Sequence, residues 1–323
     1  MSTKKPFRFS WQAYDANSAA DWRGKAQAAE AQGFSALQLA DHYLGPGPVA
    51  DASHPPQVLA AVPAMAMAAE ATSSLKIGCR VFCCSYRPAA VLVKEAMTID
   101  FLSDGRLEFG LGAGWIEGEY NAIGVPYDDI GRRIDRLEET LDLAKAHRDG
   151  GVMNIDHEQA RAVGFEGSPR PVGPVPIMIG GGSPRVLRLA GREADIASIN
   201  FNNKAGKMDT DNVASLSDAH GTRDKIRWIK EGAGDRFDEI ELEIGIYFAA
   251  VTDKQNATAE AMGRELGMDR ETFLAFPHAL VGSIDYMCEE LERRRELYGF
   301  SYVSILDRCA DGFAPVVARL RGN

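Results

Sequence analysis

Short apolar runs alternate with longer amphipathic stretches along the whole chain, a rhythm that predicts eight strands interleaved with helices. Arg8 to Trp11 reads as the first strand, and Ser18 offers an N-cap to an Ala-rich helix that reaches Ala31 and stops at Gly33. Ala36 to Leu39 is the second strand, Pro56 to Ala71 a helix, and Leu75 to Phe82 a third, nearly continuous apolar strand. A helix opens at Pro88 and ends at Ser103-Asp104-Gly105, followed by strand Arg106 to Leu111 and helix Gly131 to Arg148. Pro176 to Ile179, Asp195 to Ile199, Glu241 to Ala250 and Tyr302 to Leu306 complete the strands; Ser183 to Glu193, Ser283 to Tyr298 and Phe313 to Arg321 are helical.

Eight strands separated by helix-bearing segments is the count of a (β/α)8 TIM barrel, with an open doubly wound sheet as the alternative. We read residues 1–323 as one barrel domain with insertions near 121–174 and 200–239. The Gly- and Pro-rich Gly164 to Pro176 suggests an ordered or mobile lid. The helix carrying Met65 and Met67 is apolar nearly all round, so it belongs under the barrel wall or at a subunit contact.

Barrel active sites form at the C-terminal ends of the strands. That rule selects Trp11 and Gln12, Asp41 and His42, Arg80 to Cys84, Gly112 to Trp115, Gly180 to Ser183, Asn200 and Asp307. Asp41-His42 is either a turn with a satisfied histidine or a proton-handling pair. Gly110 to Trp115 is not the dinucleotide fingerprint, since its third glycine falls one position early. Those glycines serve a tight barrel exit or admit a flat ring against the main chain. Gly180-Gly181-Gly182-Ser183 opens a helix, which suits a phosphate or a geometric connector. Arg80 reads as a binder of an anionic group or as a surface ion pair.

Composition narrows the partners. With 36 Lys and Arg against 46 Asp and Glu, the net charge is −10, which argues against nucleic acid and anionic membranes. No window approaches ~18 unbroken apolar residues, and no apolar stretch follows Met1 to Pro6 as a signal peptide would require. Five cysteines without a C-x-x-C pair read as reduced thiols in a cytoplasmic protein. No H-E-x-x-H, G-x-S-x-G or Walker A pattern is present, so no metal site is expected and a small-molecule enzyme is.

Leu39-Ala40-Asp41-His42, Leu75 to Gly78 leading to Pro88, and Thr98 to Arg106 together resemble the bacterial-luciferase-like superfamily. So do Gly112 to Trp115, Ile177 to Ser183 with Leu189-Ala190-Gly191, and Gly299 to Asp307. The resemblance spans nearly the whole chain except about Lys204 to Glu239, and it lies closest to the coenzyme F-420-dependent branch. It implies an oxidoreductase that uses the deazaflavin F-420, with an FMN-dependent monooxygenase as alternative and a non-catalytic flavin-binding barrel as a third reading. By the resemblance, His42 handles a proton near the reacting ring edge, while Asp41 orients it or contacts the ring. Cys79, Arg80 and Val81 lie under the ring around a cis peptide placed at Arg80–Val81. Gly112, Ala113 and Gly114 flank the ring, and Gly181, Gly182 and Ser183 hold the phosphate. Glu119 can serve as acid or base, or be a solvated helix residue. Trp115 stands where sugar-phosphate dehydrogenases of the superfamily carry a glutamate, which puts glucose 6-phosphate in doubt. A homodimer, and a separate flavin or F-420 reductase, complete the expected partners.

Overall fold

Val, Ile and Leu runs that are buried on both faces are the sequence form of parallel strands covered by helices, and they assemble here into a closed barrel. The computed structural model describes residues 4–44, 56–203 and 219–323. Its strands are β1 (Arg8–Gln12), β2 (Ala36–Leu39), β3 (Lys76–Cys79), β4 (Phe82–Cys83), β5 (Leu107–Gly112), β6 (Val152–Asp156) and β7 (Arg161–Glu166). There follow β8 (Ile177–Gly181), β9 (Ile196–Ile199), β10 (Glu241–Ile246), β11 (Phe248–Val251), β12 (Ala279–Gly282) and β13 (Phe300–Leu306). The parallel order β3-β2-β1-β13-β10-β9-β8-β5 closes because β5 also pairs with β3. The chain is therefore a (β/α)8 barrel.

Polar side chains plug the N-terminal end of the barrel as a satisfied network. Ser10 Oγ donates to Gln38 Oε1 at 2.9 Å, and Tyr302 OH donates to Glu108 Oε2 at 2.7 Å. Arg8 reaches both Glu108 and Glu241. Buried carboxylates persist there because each has charged or hydroxyl partners. Helix starts follow the capping residues: the Ser18, Ser183 and Ser283 side chains accept from Asp21, Val186 and Tyr286 N–H.

The long helix after β2 begins at Ala61 rather than Pro56. It lies in the barrel wall with Ala61, Ala64, Met65, Ala68 and Ala69 buried. The expected strand Leu75 to Phe82 is split into β3 and β4 at a cis Arg80–Val81 peptide. The expected strand Glu241 to Ala250 divides at Tyr247, where the chain leaves the barrel and β11 pairs with β12 in a separate two-stranded sheet.

Gly164 to Pro176 is not a lid. The preceding hairpin β6–β7 and this segment are fastened to the outer helices. Lys94 Nζ donates to Ser168 O at 2.7 Å, and Asp100 Oδ2 accepts from Val172 N and Gly173 N at 2.7 and 3.0 Å. Residues 204–218, within the expected second insertion, lie outside the described residues. Helix Ala219–Ala233 packs closely on helix Pro184–Glu193. A Cβ on Gly232 would stand 2.0 Å from Arg188 O, so only glycine permits that approach.

Candidate active site

The strand ends open into a cavity of about 790 Å³, walled by Asp41 and His42 after β2, Arg80 and Val81 after β3, and Trp115 after β5. Gly181 to Ser183 close one side. The topology that puts strand C-termini at one rim thus gathers most of the predicted residues. Five stay out of the cavity's lining: Trp11, Cys84 and Asp307, together with Cys79, buried as the last residue of β3, and Glu119, wholly buried behind His42.

Glu119 is not a solvated helix residue. Its Oε2 lies 2.8 Å from His42 Nδ1 and accepts from Tyr86 OH at 2.7 Å, while Oε1 accepts the Tyr43 N–H. Burial pushes its pKa up, but these bonds, His42's first, outweigh burial and hold the carboxyl below its ordinary range. Asp41 is committed elsewhere. Arg87 grips both of its oxygens at 2.9 Å and Cys83 N–H donates to Oδ2 at 3.1 Å. The carboxylate that orients His42 is therefore Glu119, and Trp115 stands edge-on to the imidazole with centroids 6.1 Å apart.

Arg80 makes a buried ion pair, not a surface one. Its Nε donates to Glu243 Oε1 at 2.9 Å, and Nη1 donates to Gln12 Oε1 at 3.2 Å and Tyr247 OH at 3.1 Å. Val81 projects half-buried into the cavity, and the nearby glycines leave space for it. A Cβ on Gly112 would meet Val81 Cγ2 at 2.6 Å, and one on Gly180 would meet Cγ1 at 3.0 Å. The glycine at position 112 is thus required for close packing on Val81, and both residues line the cavity.

The described lining carries five arginines, Arg80, Arg133, Arg185, Arg188 and Arg308, against one carboxylate, Asp41. Arg133 is buried yet donates only to neutral oxygens, Asp128 O, Gly114 O and Tyr127 OH. Sequence reasoning missed Tyr247 because it ran that strand past its true end at Ile246. It took Asp307, which stays out of the lining, where Arg308 enters it, and had no signal for Arg133, in the first turn of helix Ile130–Asp149.

The luciferase-like monooxygenase family matches residues 3–298. An F-420-dependent glucose-6-phosphate dehydrogenase of Nakamurella multipartita is 29% identical over 260 residues, 79% of this chain and 71% of that protein. One from Amycolatopsis mediterranei is 30% identical over 168 residues, 52% of this chain and 49% of that protein. An FMNH(2)-dependent dimethylsulfone monooxygenase of Pseudomonas putida is 30% identical over 159 residues, 48% and 44% of the two chains. In the last two matches this chain spans about half or less of the relative's length. A solved F-420-dependent secondary alcohol dehydrogenase, in complex with an F-420–acetone adduct, shares the fold with a TM-score of 0.75 at 16% identity, covering 98% of this chain and 100% of that one.

Proposed function

The chain belongs to the luciferase-like monooxygenase family, and from that premise we propose that it is an oxidoreductase using coenzyme F-420 to move a hydride to or from a small organic substrate. The observation that carries this reading is the cationic cavity. Of the five arginines that line it, Arg80, Arg185 and Arg188 are paired with Glu243, Asp135 and Glu231, while Arg133 and Arg308 have no carboxylate partner among the described residues, in a chain whose net charge is −10. A local field of that sign suits a phosphate-bearing, acid-tailed cofactor that the protein's overall charge would repel.

The residues present fit such a group. Val81 with Gly112, Ala113 and Gly114 would support the flat ring, and Gly181, Gly182 and Ser183 would take the phosphate where helix Pro184–Glu193 begins. When bound, the deazaflavin supplies the carbon that gives or receives the hydride. The chain's own part is proton handling and exclusion of water. With Nδ1–H directed to Glu119, His42 carries its lone pair on Nε2 and can take or return a proton at the cavity wall. Trp115, edge-on beside the imidazole, forms part of the cavity wall that would exclude water once a ligand is bound. Glu119 acts through His42 as a positioning residue. Because Trp115 replaces the glutamate expected of sugar-phosphate dehydrogenases, glucose 6-phosphate is not the proposed substrate.

A second reading, an FMN-dependent monooxygenase supplied by a separate reductase, draws on the Pseudomonas putida relative. A single catalytic domain, a homodimer and a cytoplasmic setting belong to the same proposal. The first two rest on the resemblance, the last on five free thiols. Turnover separates the two enzyme readings. Oxidation of reduced F-420 by a panel of ketones and enones should proceed without oxygen. Turnover only with reduced FMN and oxygen would favour the second reading.

A further inference from the structure

Across the barrel mouth from Gly181, the cavity ends in a second polar cluster. In the closed strand order β1 is the fourth neighbour of β8, so Gln12 and Tyr14 stand opposite the glycine turn. Tyr14 packs with Ala40, Leu306 and Tyr247 and lies within the fields of Arg80 and Arg308. Two guanidinium groups and two phenols thus converge on an otherwise apolar wall that includes Leu306 and Phe248.

Their charges do not cancel. Glu243 neutralises Arg80, although Arg80 Nη2 remains buried without a hydrogen-bond partner. Arg308 has no carboxylate among the described residues: its Nη2 donates to Tyr247 O at 2.6 Å. The neighbouring Asp307 is already taken by Trp11 Nε1 at 2.7 Å and Lys25 Nζ at 2.6 Å. One uncompensated positive charge remains, displayed at the rim of the cavity.

We propose that this end of the cavity binds a carboxylate carried by the substrate, through Arg308 with the Tyr14 hydroxyl beside it, so that the enzyme acts on organic acids with an apolar body. One net charge matches a monoanionic carboxylate rather than a dianionic phosphate, and the planar guanidinium fits the carboxylate's paired oxygens. The carboxylate is a spectator that anchors the molecule while the reacting carbon lies toward His42. This inference rests on the oxidoreductase reading, and the position opposite Gly181 separates it from the cofactor's phosphate.

Calorimetric titration with benzoate and its neutral isostere benzamide tests it, with and without saturating F-420. Benzoate is expected to bind about tenfold or more tightly than benzamide, and to do so equally well with F-420 present. Arg308→Gln should bring the two ligands within about twofold, Arg308→Lys should keep part of the preference, and both variants should still bind F-420 saturably. The proposal is overturned by equal binding of the two ligands, by absence of saturable benzoate binding, by a preference that survives Arg308→Gln, or by displacement of benzoate by F-420. F-420 failing to bind at all sinks the cofactor reading instead, since the benzoate comparison is also made without it.

Discussion

His42 Nδ1 and Glu119 Oε2 lie 2.8 Å apart, and the imidazole lines the cavity while the carboxylate is fully shut off from solvent. One group faces the cavity and the other fixes its tautomer.

Replacing His42 by Ala should therefore lower kcat by about 10²- to 10⁴-fold with cofactor affinity retained. Glu119→Gln should cost less and act differently. It keeps an acceptor for the imidazole but removes the carboxylate, so kcat should fall while KM and cofactor affinity stay near wild type. Loss of cofactor affinity and thermal stability with kcat unchanged would assign Glu119 a purely structural role.

Gly112 and Val81 form a steric pair, with only 2.6 Å between Cγ2 and the place of a Gly112 Cβ. Gly112→Ala should weaken cofactor binding and destabilise the fold by about 1–3 kcal/mol. Val81→Ala should restore much of that stability in the double variant. Additive losses in the cycle, measured by chemical unfolding, would contradict the pairing.

The pair also shows where sequence reading stops. The eight strands, the helix cap at Ser18, the helix starts near Ser183 and Ser283, and the rim position of His42 were legible because period, capping chemistry and barrel geometry are local or general rules. The space left at Gly112 for Val81 was not, since it depends on contact between separate strands. Likewise the engaged Asp41 and buried Glu119 depend on Arg87 and Tyr86, which reach them only once the barrel closes. The hairpin β6–β7 falls inside the stretch read as an insertion, and a register shift between Met153 and Asn154 interrupts the period of two that would mark its strands.

Glu30 caps the turn before β3, its Oε1 accepting N–H groups of Ser73, Ser74 and Leu75 at 2.9, 2.6 and 3.0 Å. Burial raises its pKa, but the bonds from Ser74 and its neighbours overcome this and hold it at about 2, below the ordinary 4.5. A depressed folded-state pKa stabilises the fold above the unfolded value, and that stability is lost as pH falls toward 2. Glu30→Gln should lower Tm at pH 7, with the gap closing between about pH 4.5 and 2. A gap that is constant across that range would rule out the carboxylate as its source.

Lys225 presents the opposite sign. Burial alone lowers its ammonium to about 8 from 10.5, and its Nζ donates to Asn200 O at 2.7 Å. The charged form opposes folding below pH 8, and the penalty is relieved as pH rises from 8 to 10.5. Lys225→Met should stabilise the protein by about 1–3 kcal/mol at pH 7, and the advantage should shrink above pH 8. Denaturant melts at pH 7 and pH 10 check this, and a destabilised variant at both would show the Asn200 bond to dominate.

The central claim is that the cationic cavity takes F-420, and equilibrium titration of the purified protein with oxidised F-420 and, separately, with FMN tests it most directly. The account predicts saturable, micromolar or tighter F-420 binding that weakens as salt rises, with FMN at least tenfold weaker. Tight FMN binding with none for F-420 would contradict it.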